Sequence, residues 1–491
     1  MNLLCSGKID NFWLEVLLRV EAETGAKPVY WVGEKASELS IKNCFVHDVW
    51  EAFALDGGIS DWENIADVVD MKFVTRTEYY NYLKILDRVD FDNKFSFSER
   101  DELFKRQLSY WHFVLTTKQI DFVFFSNAPH LPYDYPLYLC AKKMGLKMLM
   151  FNVTSLRGWH YLTDRIGSAP LESRVHDFSR DEVDTLTRES IEQFLFSKFQ
   201  QPWYMEAQSK KQRSFRLKLP AIPIVGLLYL ILERLIKRVL RRPISNSVKY
   251  KTIKFYEGVY SKKEVGLIDL HVMKVVAERK KKRLKKEYVR LSQVFDPSSI
   301  GPYVYFAIHY QPELTTTPLG DEYSDQFHVI RHLSKSLPKG IILVVKEHPS
   351  QFSRVLYGEQ GRHLGCWEQV SKLDNVVLAD LSISSISLVK HSKAVATITG
   401  TAGWESLVNG KACLYFGGAW YQAFTQATKV DFSNLAQNLE KALQGTTNAV
   451  TIDDVIENLA KKAIKTDIHG VYRGEMSRDY VVTADYLIRA L

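Results

Sequence analysis

Four segments in the second half of the chain set chemistry-bearing side chains directly after apolar runs. In the first, YVYFAIH leads into HYQPELTTTPLGDEYSDQ, residues 309–326, with Glu313, Asp321, Glu322 and Asp325 inside thirteen residues. Carboxylates beside a sugar's anomeric carbon can act as base, nucleophile or oxocarbenium stabiliser; Asp325 is equally placed to cap the helix that should follow. In the second, GIILVVK runs into KEHP, which puts Lys346 and His348 where they can take up the charge of a departing phosphate, with His348 as donor. A plain strand-ending turn is the alternative.

The third segment is TITGTAGWE, residues 397–405. A strand followed by Thr399, Gly400, Thr401, Ala402 and Gly403 and then a helix presents unpaired backbone N–H groups and a positive helix end to an anion. Glu405 lies one short turn further on, within reach of a ribose diol. The pattern is neither G-x-G-x-x-G nor a P-loop, and a turn made for packing remains open. The fourth is FGGAWY, residues 416–421. Gly417 permits close backbone approach, while Trp420 and Tyr421 suit either ligand stacking or the core. In the first half, Asn127 and His130 follow an apolar run and precede Asp134; they can face an acceptor or close a turn.

These residues need elements to hold them. Residues 27–33, 43–46, 122–126 and 147–152 read as buried strands, with a helix over 135–144 stopped by Gly145. Leu3 to Cys5 reads as a short first strand. In the second half, strands are expected over 303–309, 340–346, 376–378, 394–399 and 412–416, alternating with helices over 325–335, 384–392 and 402–408. Strand, helix, strand with short loops is the grammar of a parallel, doubly wound sheet whose ligands lie beyond the strands' carboxyl ends.

The chain has 491 residues, 46% hydrophobic and 25% charged, with 25 Gly and 15 Pro. That excludes a collagen-like or disordered protein and is too long for a single ordinary core. The boundaries expected are an N-terminal α/β domain over 1–200, a basic, partly helical insert over 201–295 and a C-terminal α/β domain over 296–491. Five scattered cysteines suggest neither a disulfide framework nor a zinc site. MNLLCSGKIDNFW lacks the basic and apolar regions of an export signal, so a cytoplasmic protein is expected.

Charge is concentrated in the insert. Residues 210–242 hold ten Lys or Arg against Glu233 alone, and RKKKRLKK at 279–286 adds seven more. The whole chain carries only +8, so the remainder is acidic. LPAIPIVGLLYLIL, residues 219–232, is shorter than the roughly 20 apolar residues a spanning helix needs. Flanked by Arg234, Lys237, Arg238, Arg241 and Arg242, it suits an interfacial helix on anionic headgroups, or a buried helix with a solvated basic end. The second run should continue a helix; without interleaved aromatics or a nucleic-acid-binding motif, no nucleic-acid partner is expected.

Together and in this order, YFAIHYQPELTTTPLG, YSDQ, VVKEHPSQF and TITGTAGWESLVNGKACLYFGGAWY resemble the bacterial capsule and surface-polysaccharide biosynthesis proteins that include the β-Kdo glycosyltransferases. The similarity extends more loosely to IDNFWLEVLLRVEAETGAKPVYW and FSNAPHLPYDYPLYLCAKKMG. It implies a GT-B type α/β fold, two Rossmann-like domains facing a cleft. It also implies transfer of a sugar from a nucleotide donor, CMP-Kdo in those relatives, to a lipid-linked or growing surface glycan at the inner face of the membrane. His348 and Pro349 are similar to the nucleotide-phosphate motif of CMP-sugar transferases, and the Gly400–Glu405 turn matches their phosphate and ribose site.

The same resemblance implies retention through a carboxylate nucleophile, with Asp325 preferred, Glu313 as supporting acid/base and Asp321 as a third candidate. Lys346, Thr399, Gly417 and Trp420 complete the expected donor side, and Asn127, His130 and Asp134 the acceptor side. No cofactor or metal is expected. The basic insert matches nothing in the resemblance. Two other readings stay open: a CDP-alcohol phosphotransferase of the teichoic-acid type, and a non-catalytic scaffold docking glycan enzymes at the membrane.

Overall fold

The computed structural model describes residues 1–33, 41–55, 58–60, 62–65, 69–90, 95–156, 159–172, 247–256, 259–353, 356–445, 447–465 and 480–491. The first half contains β1 (Asn2–Ser6), α1 (Asn11–Thr24), β2 (Lys27–Gly33), β3 (Phe45–Asp48), α2 (Val49–Ala54), α3 (Trp62–Ile65), α4 (Arg76–Leu86), α5 (Phe97–Thr117), β4 (Phe122–Phe125), α6 (Asp134–Lys143), β5 (Lys147–Val153) and β6 (Trp159–Thr163). Next come β7 (Ser247–Tyr256), β8 (Val259–Gly266) and α7 (Leu267–Leu291). The second half adds β9 (Tyr303–Ala307), α8 (Gln326–Ser336), β10 (Ile342–Lys346), α9 (Cys366–Ser371), β11 (Val376–Leu378), α10 (Ser385–His391), β12 (Ala394–Thr397), α11 (Thr401–Val408), β13 (Ala412–Tyr415), β14 (Ala427–Lys429), α12 (Leu435–Gln444), α13 (Ile452–Lys462), β15 (Ala463–Lys465) and α14 (Tyr480–Ala490).

Local chemistry sets many boundaries. Asp10 caps α1 by accepting from Trp13 N at 3.1 Å, and Gly25, at φ 72°, ends the helix in the left-handed region open to glycine. Thr75 and Ser96 open α4 and α5 with capping boxes closed by Glu78 and Glu99. β3 starts at Phe45, two residues after the expected position, because Asn43 takes φ 63° and turns the chain.

Two sheets follow. The first has the order β15-β6-β5-β4-β1-β2-β3; from β5 through β3 it is parallel, and β6 and β15 are antiparallel additions. The second, β11-β10-β9-β12-β13-β14, is parallel throughout. Its central strands are buried on both faces, which explains their continuous apolar runs. This is the expected α/β architecture of two Rossmann-like halves.

Two features depart from expectation. β15 and α14 do not stay with the second half: β15 pairs antiparallel with β6, and α14 packs on α1, where Leu487 and Tyr486 enter the core of Trp13, Leu17 and Val20. Arg19 fixes the contact through Asp485 at 2.9 Å. The insert is partly helical as expected, but it also carries an unexpected antiparallel hairpin, β7 and β8, that runs straight into α7. The basic run 279–286 lies in α7, as expected. Arg234, Lys237, Arg238, Arg241 and Arg242 lie outside the described residues, as does the apolar stretch 219–232.

The halves are joined near the end of α4. Lys84 Nζ donates to Ser324 Oγ at 2.9 Å, and Gln360 Nε2 to Asp90 O at 3.2 Å. Asp87 and Asp90 are held in turn by Arg100, at 2.8 and 2.7 Å. Because α14 completes the first half's core, Leu487→Ala is expected to cost about 2–5 kcal/mol, measured by urea unfolding. The same truncation at exposed Leu18 should stay within about 0.5 kcal/mol.

Candidate functional site

The carboxyl ends of β10, β9 and β12 are adjacent in the second sheet, and the loops that leave them meet at His309. This buried imidazole ends the β9 segment. Its Nε2 lies 3.0 Å from Thr397 Oγ1 and accepts a long bond from Thr399 N–H at 3.4 Å. Thr397 Oγ1 also accepts from Gly400 N at 3.1 Å. These partners place the ring's proton on Nδ1, which faces Glu313 Oε1 at 3.6 Å. One side chain thus ties the Glu313 loop to the turn that opens α11.

Glu313 is half-buried. Burial raises its carboxyl, but His309, the Thr315 hydroxyl that donates to it and His348 more than offset that, and hold it below the ordinary carboxylate range. It is an ionised carboxylate at neutral pH. His348, after β10, accepts from Ser350 N through Nδ1 at 3.2 Å, so its proton resides on Nε2. Burial, against the pull of Glu313, brings its pKa from 6.5 down to about 4. It is therefore a neutral hydrogen-bond donor.

Gly400 is the N-cap of α11 and has no side chain to satisfy the first turn. Its own N–H is used by Thr397, and Gly403 N returns to Gly400 O at 3.0 Å. The N–H groups of Thr401 and Ala402 sit between these, at the positive end of the helix and beside His309. The turn is tight: a Cβ on Gly400 would stand 2.9 Å from His309 Nε2, and one on Gly403 2.1 Å from Tyr421 Oη, which donates to Gly400 O at 2.9 Å.

A buried ion pair braces the floor of the site. Arg362 donates to Glu347 through Nε at 2.8 Å and through a terminal nitrogen at 3.1 Å, and to His309 O at 2.9 Å. From the first half, Arg88 donates to His130 O and to Thr317 O, both at 2.5 Å, bridging the two halves beside Glu313. Arg362, Arg88 and His309 carried no role in the sequence reading. His309 had a signal, a polar residue ending an apolar strand; the arginines had none.

Other expected residues stand elsewhere. Asp325 is exposed and caps α8, accepting from Phe327 N and His328 N at 3.2 Å each, opposite Lys84. Asp321 is exposed and faces Glu322, Glu78 and Lys142. Neither is among the groups that face Glu313 and His348. Trp420 is half-buried and packs on Trp404 at 4.7 Å and on Phe424, against the core. Gly417 serves a close approach, since a Cβ there would meet Leu319 O at 2.5 Å.

Lys346 is buried and donates to Ile383 O and Ser385 Oγ. Burial pushes it down to about 8 and pushes its electrostatic neighbour Glu405 up to about 7. Thr399 donates its hydroxyl to Thr315 O, and so holds the loop rather than presenting itself. In the first half, Asp134 accepts from His130 N and Leu131 N at 2.9 and 2.6 Å, and Asn127 accepts from Ala128 N. These are turn-closing bonds, and His130 directs Nδ1 to Ala128 O at 2.7 Å.

Residues 315–448 match the family described as capsule polysaccharide biosynthesis protein, and this span contains the His348, Gly400 and Gly417 loops. No curated protein matches the chain. Solved structures similar to it include a β-Kdo 2,4 transferase, KpsC, of Thermosulfurimonas dismutans, at 14% identity and a TM-score of 0.25 over 70% of this chain and 87% of that one. The β-Kdo 2,7 transferase of the same KpsC aligns at 12% identity and 0.24, over 46% and 67%. A UDP-GlcNAc 2-epimerase of Methanocaldococcus jannaschii aligns at 10% and 0.24, over 91% and 94%.

His348 and Glu405 have opposite pH signatures. Between about 4 and 6.5 the unfolded chain binds a proton at His348 that the folded chain refuses, so this group lowers stability as pH falls. Between 4.5 and about 7 the folded chain holds a proton on Glu405 that the unfolded chain releases, so this group raises stability as pH falls. Across pH 5 to 6.5, urea unfolding should show stability rising less steeply with pH in His348→Asn than in the parent, and more steeply in Glu405→Gln.

Proposed function

We propose that this chain is a glycosyltransferase of surface-polysaccharide synthesis that moves Kdo from CMP-Kdo to a lipid-linked or growing glycan. The observation that carries the reading is the convergence, at three neighbouring strand ends, of an uncapped helix N-terminus, a neutral imidazole donor and an ionised carboxylate. The N–H groups of Thr401 and Ala402 hold the donor phosphate, with His348 Nε2–H on a second oxygen. Glu405 and the turn before it receive the ribose, and the acceptor approaches past His130. The matched family and the sequence resemblance support the same reading.

Glu313 takes the role first expected of Asp325. A carboxylate held below its ordinary range is a poor base but a good leaving group, which suits a nucleophile. Its oxygen forms a bond to the anomeric carbon as the carbon–oxygen bond to phosphate breaks, and CMP departs with the electron pair. An acceptor hydroxyl then displaces Glu313, giving net retention; its proton passes to solvent or to the released phosphate. The phosphate charge is met by N–H donors, so no metal ion is required and transfer should persist in EDTA.

The chain is further proposed to act at the inner face of the membrane, with Arg234, Lys237, Arg238, Arg241 and Arg242 toward anionic lipid. Incubation with CMP-Kdo, UDP-sugars and GDP-sugars tests the donor, and turnover of UDP-sugars alone contradicts it. Glu313→Gln is expected to lower transfer by about 10²–10⁴-fold and His348→Asn by about 10²–10³-fold. Product mass separates sugar transfer from alcohol-phosphate transfer by the absence or presence of phosphorus. A scaffold would show no transfer of its own, and both variants would leave its activity in cells intact.

A further inference from the structure

α7 is a helix of 25 residues, about 37 Å long, with two unlike sides. One side is locked to the second half. Leu284 and Tyr288 are buried, Tyr288 Oη donates to Ala379 O at 2.5 Å and accepts from Glu347 N at 3.0 Å. Lys281 Nζ donates to Ser353 O and Leu356 O at 3.0 Å each, and Glu287 accepts from Gly365 N and Trp367 N.

The opposite side carries Val272, Val276, Arg279, Arg283, Lys286 and Arg290. Spacings of four, three, four, three and four put all six on one line down the helix. All six are exposed, Val272 by 49% and Val276 by 59%. Only Arg290 is given a carboxylate, Glu368, within the described residues. Two bare valines followed by three cations on a rigid helix is an arrangement that water alone does not reward. It matches a surface whose headgroups are anionic and whose acyl boundary lies just beneath. Nucleic acid would meet the cations but not the valines, and the line has no aromatic side chain to stack on bases.

We propose that this exposed line of α7 is a docking surface for an anionic lipid bilayer, separate from the basic segment at 210–242. Because the helix is anchored beside Glu347, docking would fix the orientation of the second half relative to the membrane. The inference does not depend on the reaction proposed above.

The full chain is sedimented with vesicles of phosphatidylcholine alone and with 30% phosphatidylglycerol, at low and high salt. The wild type is expected to pellet with the anionic vesicles and to be released by salt. The triple variant Arg279→Glu, Arg283→Glu, Lys286→Glu should bind at least about tenfold more weakly. A control, Lys335→Glu, Lys339→Glu, Lys441→Glu, makes the same change in net charge off this line and should bind as the wild type does. Val276→Asp should also weaken binding. Far-UV circular dichroism and thermal melting confirm folding, since all these side chains are exposed. Absence of binding by the wild type, retention by the α7 triple variant, or equal loss in the control overturns the proposal. So does a triple variant that loses RNA binding but keeps the vesicles.

Discussion

His309 is the joint on which the site depends. It stands at the end of a buried strand, bonds across to the next strand through Thr397, receives Thr399 N–H and faces Glu313. An imidazole is suited to this place because it offers an acceptor on one nitrogen and a donor on the other. With the acceptor side consumed by the turn before α11, the donor side can only serve the carboxylate. Position of the helix end and ionisation of Glu313 are thereby coupled through one ring.

The rest of the site follows from the expense of burying polar groups. Glu347 and Arg362 are both buried, and each would be strongly destabilising alone. Paired and further bonded to His309 O, they fix the loop after β10 beneath the imidazole of His348. The same burial keeps His348 neutral and leaves Glu405 titrating near pH 7, while Glu313 stays charged. One sheet edge therefore offers three differently tuned groups, the usual means by which a site divides its acid, base and nucleophile roles.

Much of this was legible in the sequence because parallel strands buried on both faces are unbroken apolar runs. GIILVVK and AVATIT read as strands on that ground, and the loops after them were found for the same reason. The Gly400–Gly403 turn, His348 and Glu313 were visible as residue types at strand ends. Which of the acidic residues faces His348 was not visible: Asp325 has the sequence signature of a cap and acts as one, and Glu313 is distinguished only by contact with His309. The partners of Trp420 and Lys346, Trp404 and Ile383 O, were not visible either, because tertiary packing supplies them. The return of β15 and α14 to the first sheet left no local mark, since three residues and one amphipathic helix carry no address for the surface they join.

The central claim is that the opening of α11 and His348 together hold a nucleotide's phosphate. A crystal structure of the chain with CMP tests it most directly. The account places a phosphate oxygen within hydrogen-bond distance of Thr401 N or Ala402 N and of His348 Nε2, with the ribose toward Glu405. CMP lodged on another part of the surface, or a helix opening filled by the protein's own side chains, would contradict it.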